Sequence, residues 1–240
     1  MMKPTEKPAR ERLEISPAKV LAALPAIGRL MVGTSNLGST HERIGTVENV
    51  EVDGRFVTLS GAMHDSRIDT REIGGVVVDR SGRMGDKAYP RIDFHSPEGI
   101  VLFSVVGFEG LEPFDAALAP LGEGVAVEPA PEKPQEERTE AAADDPGREP
   151  FDAALTAGDE IVIGMRRSGF EQAWRGRVEA IKPAMGFINV MRPDFHLHLK
   201  AGAVARWRRE GGELQAEAAD GSLLGLFVAA SDTQPQGADA

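Results

Sequence analysis

The chain matches itself at one register. Aligned without a gap at an offset of 131 (164 − 33), Gly33, Gly38, Gly45, Val47, Glu48 and Phe56 fall on Gly164, Gly169, Gly176, Val178, Glu179 and Phe187. Apolar positions carry the match on at Val50/Ile181, Val57/Ile188, Leu59/Val190, Ile68/Leu199 and Ile73/Val204. Glycine marks turns and bulges, so three glycines at one spacing imply a shared backbone path. Further on, Gly99 and Gly221 fall in comparable turns at an offset of 122 (221 − 99), so the second copy is shorter in between. A period this long is a duplicated domain and not a solenoid.

Charge places the joint between the copies. Segment 122–150 holds nine acidic residues against Lys133, Arg138 and Arg148, and so carries −6 of the chain's −11. It is rich in Pro, Ala and Glu and lacks aromatics, so it cannot bury enough apolar surface to offset its ordering entropy. The expected organisation is a first repeat at 13–121, an acidic disordered linker at 122–148 and a second repeat at 149–230, with loose tails at 1–12 and 231–240.

Local patterns are mostly those of strands. Asp53-Gly54 between Val50-Glu51-Val52 and Phe56-Val57 predicts a hairpin, as does Gly211-Gly212 after Arg208-Arg209. Val76–Val78, Ile100–Phe103 and Leu223-Leu224 continue the strand pattern. Short helices are expected at Pro17–Leu21 behind a Ser16 N-cap, at Phe114–Leu118 and at Phe151–Leu155. The expected fold class is α+β: two tandem repeats of mainly antiparallel sheet with short flanking helices.

Several kinds of chemistry are excluded. There is no cysteine, hence no disulfide, thiolate metal site or cysteine nucleophile. Gly33–Gly38 lacks the Gly-Lys-Ser/Thr ending of a phosphate loop, and no nucleophile elbow is present. The acidic balance argues against nucleic acid, and no apolar run is long enough to insert in a membrane. The polar start Met1–Pro8 has no secretory h-region, so the expected location is the cytoplasm.

Two stretches resemble the bacterial haem-utilisation family of haemin-degrading factors (HemS/ChuX type). The first is Leu24-Pro25-Ala26-Ile27-Gly28-Arg29-Leu30-Met31 with Thr40-His41-Glu42-Arg43-Ile44-Gly45-Thr46-Val47-Glu48-Asn49-Val50. The second is Met185-Gly186-Phe187-Ile188-Asn189-Val190-Met191-Arg192-Pro193-Asp194-Phe195-His196-Leu197-His198-Leu199. A strand–turn–strand ending is echoed by Ile92–Gly99 and by Ala218-Ala219-Asp220-Gly221. That family is itself a tandem repeat. The resemblance implies a shortened double-repeat member that binds haem in a cleft and serves haem trafficking or buffering in iron acquisition. It also implies two alternatives: a haem-degrading enzyme that releases iron, or an interaction module that has lost haem. The family's axial histidine lies ahead of the second repeat, yet no histidine stands between His95 and His196 here. Trp174 stands where the second repeat often carries another histidine.

The expected haem contacts follow from what remains. Haem iron takes His, Met, Tyr or thiolate, so the resemblance points to His41 as the ligand to iron, with His198 as its substitute. Arg67 falls in a family-like strand where a guanidinium suits a haem propionate. His196 and His198 alternate with Phe195, Leu197 and Leu199, which on a strand puts both imidazoles on one side. Two imidazoles could start a divalent-metal site, but the sequence offers no third ligand beside them. Trp174 and Trp207 could stack on a planar ligand or fill a packed sheet face.

Overall fold

The computed structural model describes residues 7–130 and 139–231. It is an α+β fold of mainly antiparallel sheet with few, short helices. In chain order the first part runs β1 (Arg10–Leu13), α1 (Pro17–Ala22), β2 (Arg29–Asn36), β3 (Ser39–Thr46), β4 (Asn49–Asp53), β5 (Phe56–Ser60), β6 (Asp65–Asp69) and β7 (Gly75–Asp79). It continues through the hairpin β8 (Arg83–Met84) and β9 (Lys87–Ala88) to β10 (Arg91–His95), β11 (Val101–Gly107), α2 (Leu111–Leu118) and β12 (Val125–Ala126). Then come α3 (Glu149–Ala157), β13 (Glu160–Arg167), β14 (Phe170–Arg177), β15 (Lys182–Ala184), β16 (Phe187–Arg192), β17 (Phe195–Lys200), β18 (Arg206–Glu210), β19 (Glu213–Glu217) and β20 (Leu223–Ala230). Among the described residues, no helix is long and apolar enough to cross a membrane.

Elements recur at the offsets read from the sequence. β2, β3 and β7 begin at Arg29, Ser39 and Gly75, and β13, β14 and β18 begin at Glu160, Phe170 and Arg206, each pair at the larger offset. β10 and β11 begin at Arg91 and Val101, and β19 and β20 begin at Glu213 and Leu223, both at the smaller one. The β8–β9 hairpin occupies the extra length of the first copy. The matched glycines Gly38 and Gly169 close the β2–β3 and β13–β14 turns with φ of 86° and 66°, a left-handed geometry that glycine adopts without strain. Asp53-Gly54 makes the expected hairpin turn between β4 and β5, with Gly54 at φ 56°. α3 carries Pro150 in its first turn and stops at left-handed Gly158.

The chain forms two compact bodies that do not coincide with the two halves of the sequence. The first takes the described residues of Met1–Gly33, Ile44–Gln135 and Ser168–Phe170; the second takes those of Thr34–Arg43, Glu136–Arg167 and Glu171–Ala240. In the first body one sheet runs β12-β1-β7-β10-β11-β2 and a second runs β6-β5-β4. Its core holds Leu21, Leu24, Ile27, Leu30, Phe94 and Phe114, with Phe103 stacked on Phe94 at 4.4 Å and on Phe170 at 4.5 Å. In the second body the sheets run β3-β17-β16-β15 and β18-β19-β20-β13-β14. There Phe151, Ile163, Trp174, Phe195, Leu197 and Leu199 form the core.

Two expected loose segments are ordered where they are described. Arg10–Leu13, which overlaps the expected N-terminal tail, pairs as β1 with β7, and Val125–Ala126, from the expected linker, adds to its other edge. Backbone pairing and the buried Leu13 hold β1, and a polar cluster adds to them. Glu11 is buried, and its carboxylate accepts from Arg80 at 2.7 Å and from the Gly124 amide at 3.0 Å. At the other end of the acidic stretch, Asp145 caps the turn at Pro146–Arg148 through the Gly147 amide. Residues 131–138 of the expected linker and 232–240 of the expected tail lie outside the described residues.

Candidate functional site

β17 alternates as its sequence predicts: Phe195, Leu197 and Leu199 are buried, while His196, His198 and Lys200 face the other way. β3 lies antiparallel to it, with His196 opposite Glu42, Leu197 opposite His41 and His198 opposite Thr40. On the other edge, β16 sets Asn189 opposite His198 and Met191 opposite His196. Side chains on one face of neighbouring strands stand about 4.5–5.5 Å apart at their Cβ atoms. The register alone therefore gathers Glu42, His196, His198 and Asn189.

Glu42 Oε2 lies 3.4 Å from His196 Nδ1 and 3.7 Å from His198 Nε2. The three ligand-type atoms all lie within 4.8 Å of one another. Burial raises the Glu42 pKa, but hydrogen bonds from His196 and His198 outweigh it and bring the carboxyl down to about 2. Asn189 Nδ2 donates to the Lys182 carbonyl at 2.8 Å, which turns its Oδ1 toward His198 Nδ1 at 2.6 Å. Nδ1–H of His198 donates there, which turns Nε2 toward Glu42. The cluster is accessible: the side chains of His196, His198 and Glu42 are 27%, 30% and 18% exposed.

His41 is on the opposite face of β3 and is fully buried. Its Nε2 lies 3.0 Å from the Ile163 carbonyl oxygen, to which Nε2–H donates. Its Nδ1 accepts from Gln172 Nε2 at 2.9 Å. Positions 41 and 172 are themselves related by the larger offset. Desolvation by burial brings the His41 pKa from 6.5 down to about 3, so the ring is neutral. Both ring nitrogens, expected from the sequence to offer iron a ligand, are engaged inside the protein, with Ile163 and with Gln172.

Arg67 is on β6 in the first body, exposed, with its guanidinium 3.9 Å from the centroid of the Phe56 ring. Asp69, a carboxylate that could neutralise it, is taken by Arg55 at 3.2 Å and Arg71 at 3.6 Å. Trp174 is buried against Phe195, their rings stacked at 4.7 Å. Trp207 donates from Nε1 to the Pro146 carbonyl at 2.9 Å. Both tryptophans therefore have structural partners. Sequence reasoning missed Glu42 as the third group beside the histidines, because a pairing between strands so far apart in the chain leaves no spacing to read.

No protein-family model and no curated protein matches the sequence. Solved structures do match. The crystal structure of ChuS, an E. coli haem oxygenase, superposes with a TM-score of 0.73 at 18% identity, covering 96% of this chain and 85% of that one. Holo-PhuS, a haem-binding protein from Pseudomonas aeruginosa, gives a TM-score of 0.72 at 18% identity, covering 95% of this chain and 82% of that one. The chain has their fold. The likeness takes in both bodies.

Proposed function

We propose that this chain is a haem-binding protein of haem utilisation, acting in the cytoplasm as a carrier or buffer. The observation that carries the reading is the fold, shared over 96% of the chain with a haem oxygenase and over 95% with a haem-binding protein. The recurring elements support a tandem repeat at 13–121 and 149–230, with 122–148 as the joint.

His198 is the residue assigned to the iron in this reading. One nitrogen is anchored by Asn189, the other faces Glu42, and the side chain is partly exposed, the arrangement in which a held imidazole serves as a metal ligand. Arg67 is assigned separately to an anionic group such as a propionate, because its guanidinium is exposed and stacked on Phe56. A second reading, haem degradation, draws on the haem oxygenase among the matched structures. Incubation of the haem complex in air with a reductant and catalase separates the two: dioxygen is the oxidant, catalase removes free peroxide, and a degrading enzyme then loses the Soret band and forms a bilin whereas a carrier keeps it.

A haemin titration followed by absorbance tests the reading. A saturable Soret band is expected at micromolar haemin. His198→Ala should shift or abolish it, whereas His41→Gln should leave its position unchanged. Arg67→Ala should keep the spectrum and weaken binding about ten- to a hundredfold, the loss of one charge-assisted contact. If no complex forms, haem binding is refuted; if a complex forms that is indifferent to His198→Ala, the axial assignment is refuted.

A further inference from the structure

We infer that Glu42, His196 and His198 form a binding site for a non-haem divalent transition-metal ion. The inference does not depend on haem binding, although His198 belongs to both sites. It rests on the donor set and on how the sheet holds it.

Two distances compare well with those of a metal site. Ligands around a tetrahedral ion at about 2.0–2.1 Å lie about 3.4 Å from one another. Glu42 Oε2 stands 3.4 Å and 3.7 Å from the two imidazole nitrogens. A small adjustment of side chains places one ion against all three atoms, with no change of backbone. The strands already fix the backbone: Glu42 is directly opposite His196, and Thr40, its neighbour on the same face of β3, is opposite His198.

The supporting bonds favour a metal as well. Metal-bound histidines usually donate their second N–H to a fixed acceptor, which sets the tautomer and aims the ring. Asn189 does this for His198, and its own amide is held by the Lys182 carbonyl. Glu42 adds a carboxylate oxygen to the two imidazole nitrogens, the mixed donor set that a divalent ion takes.

The donor types select the ion. Two imidazoles and one carboxylate suit Zn²⁺, Fe²⁺, Co²⁺ or Ni²⁺, whereas Mg²⁺ and Ca²⁺ prefer oxygen alone. Three protein ligands leave at least one position for water or a substrate atom, and the exposure of the cluster gives that position access to solvent. The class of site is therefore open, of the kind that polarises a bound ligand, and not a closed structural site.

The test is titration of haem-free, chelator-treated full-length protein with Co²⁺, read in the visible spectrum, and with Zn²⁺, read by calorimetry. One ion per chain is expected at micromolar concentration. His196→Ala and Glu42→Gln should each weaken binding by at least about a hundredfold, and Asn189→Ala by about ten- to a hundredfold through loss of orientation. His95→Ala, in the first body, should bind like the wild type. Circular dichroism checks that each variant is folded. Wild-type protein that takes up no stoichiometric ion, or folded His196→Ala and Glu42→Gln variants that bind as tightly as wild type, would overturn the site. The haem reading assigns no role to His196, so His196→Ala that loses Co²⁺ yet keeps the Soret band separates this site from the haem reading.

Discussion

Arg80→Ala should destabilise the protein by about 3–5 kcal/mol, the loss expected when one partner of a buried ion pair is removed. Arg80 Nε donates to Asp115 at 2.7 Å, NH2 to Glu11 at 2.7 Å and NH1 to the Pro8 carbonyl at 3.1 Å. The side chains of Arg80 and Glu11 are only 7% and 6% exposed, so alanine would leave the Glu11 carboxylate away from water with the Gly124 amide as its remaining partner. Urea unfolding at neutral pH measures the loss. The double replacement Glu11→Leu with Arg80→Met removes both charges and should recover most of it, because a buried pair is costly mainly when it is broken. A loss below about 1 kcal/mol in Arg80→Ala would show that β1 is not held by this pair.

Acid should unfold the protein in a way that His41 controls. Its pKa is about 3 in the folded chain and 6.5 when free of burial. Between those values the unfolded chain binds a proton that the folded chain refuses. The contribution of neutral His41 is therefore complete above about pH 6.5, declines as pH falls, and is gone near pH 3. The slope is about 1.4 kcal/mol per pH unit, or up to about 5 kcal/mol across the window. His41→Gln keeps an amide able to bond to Ile163 but does not titrate. Over about pH 4–6.5, where most of the window lies, it should lose about 3 kcal/mol less stability than the wild type. Unfolding by urea at several pH values gives both slopes; parallel slopes would mean that His41 is protonated in the folded chain.

The sequence showed the strands well wherever a local signal existed. The two repeat offsets, the Asp53-Gly54 turn, the alternation of Phe195–Leu199 and the proline-led helix at 149–157 are all patterns of the chain itself, and each has its element. What could not be read depended on distant partners. The stretch 10–12 reads as a polar tail because Glu11 finds Arg80 only in the fold. His41 stands in a polar family-like stretch, yet β3 turns it inward onto Ile163 and Gln172. Glu42, its neighbour on the other face, becomes a partner of His196 and His198 for the same reason.

The passage of Thr34–Arg43 into the second body sets an order of events during synthesis. Ser39–Arg43 leaves the ribosome early, but its partner strand, Phe195–Leu199, is made only after most of the chain. At about 5–20 residues per second, that is a wait of roughly 8–30 seconds. During this time an unpaired edge with an imidazole and a guanidinium destined for burial faces water and other chains. Pairings of such long sequence separation are also slow to close once both strands exist. The nascent chain is thus most exposed to wrong partners while its first half is waiting, and a chaperone that shields this one strand would have more effect on yield than one acting on the finished product.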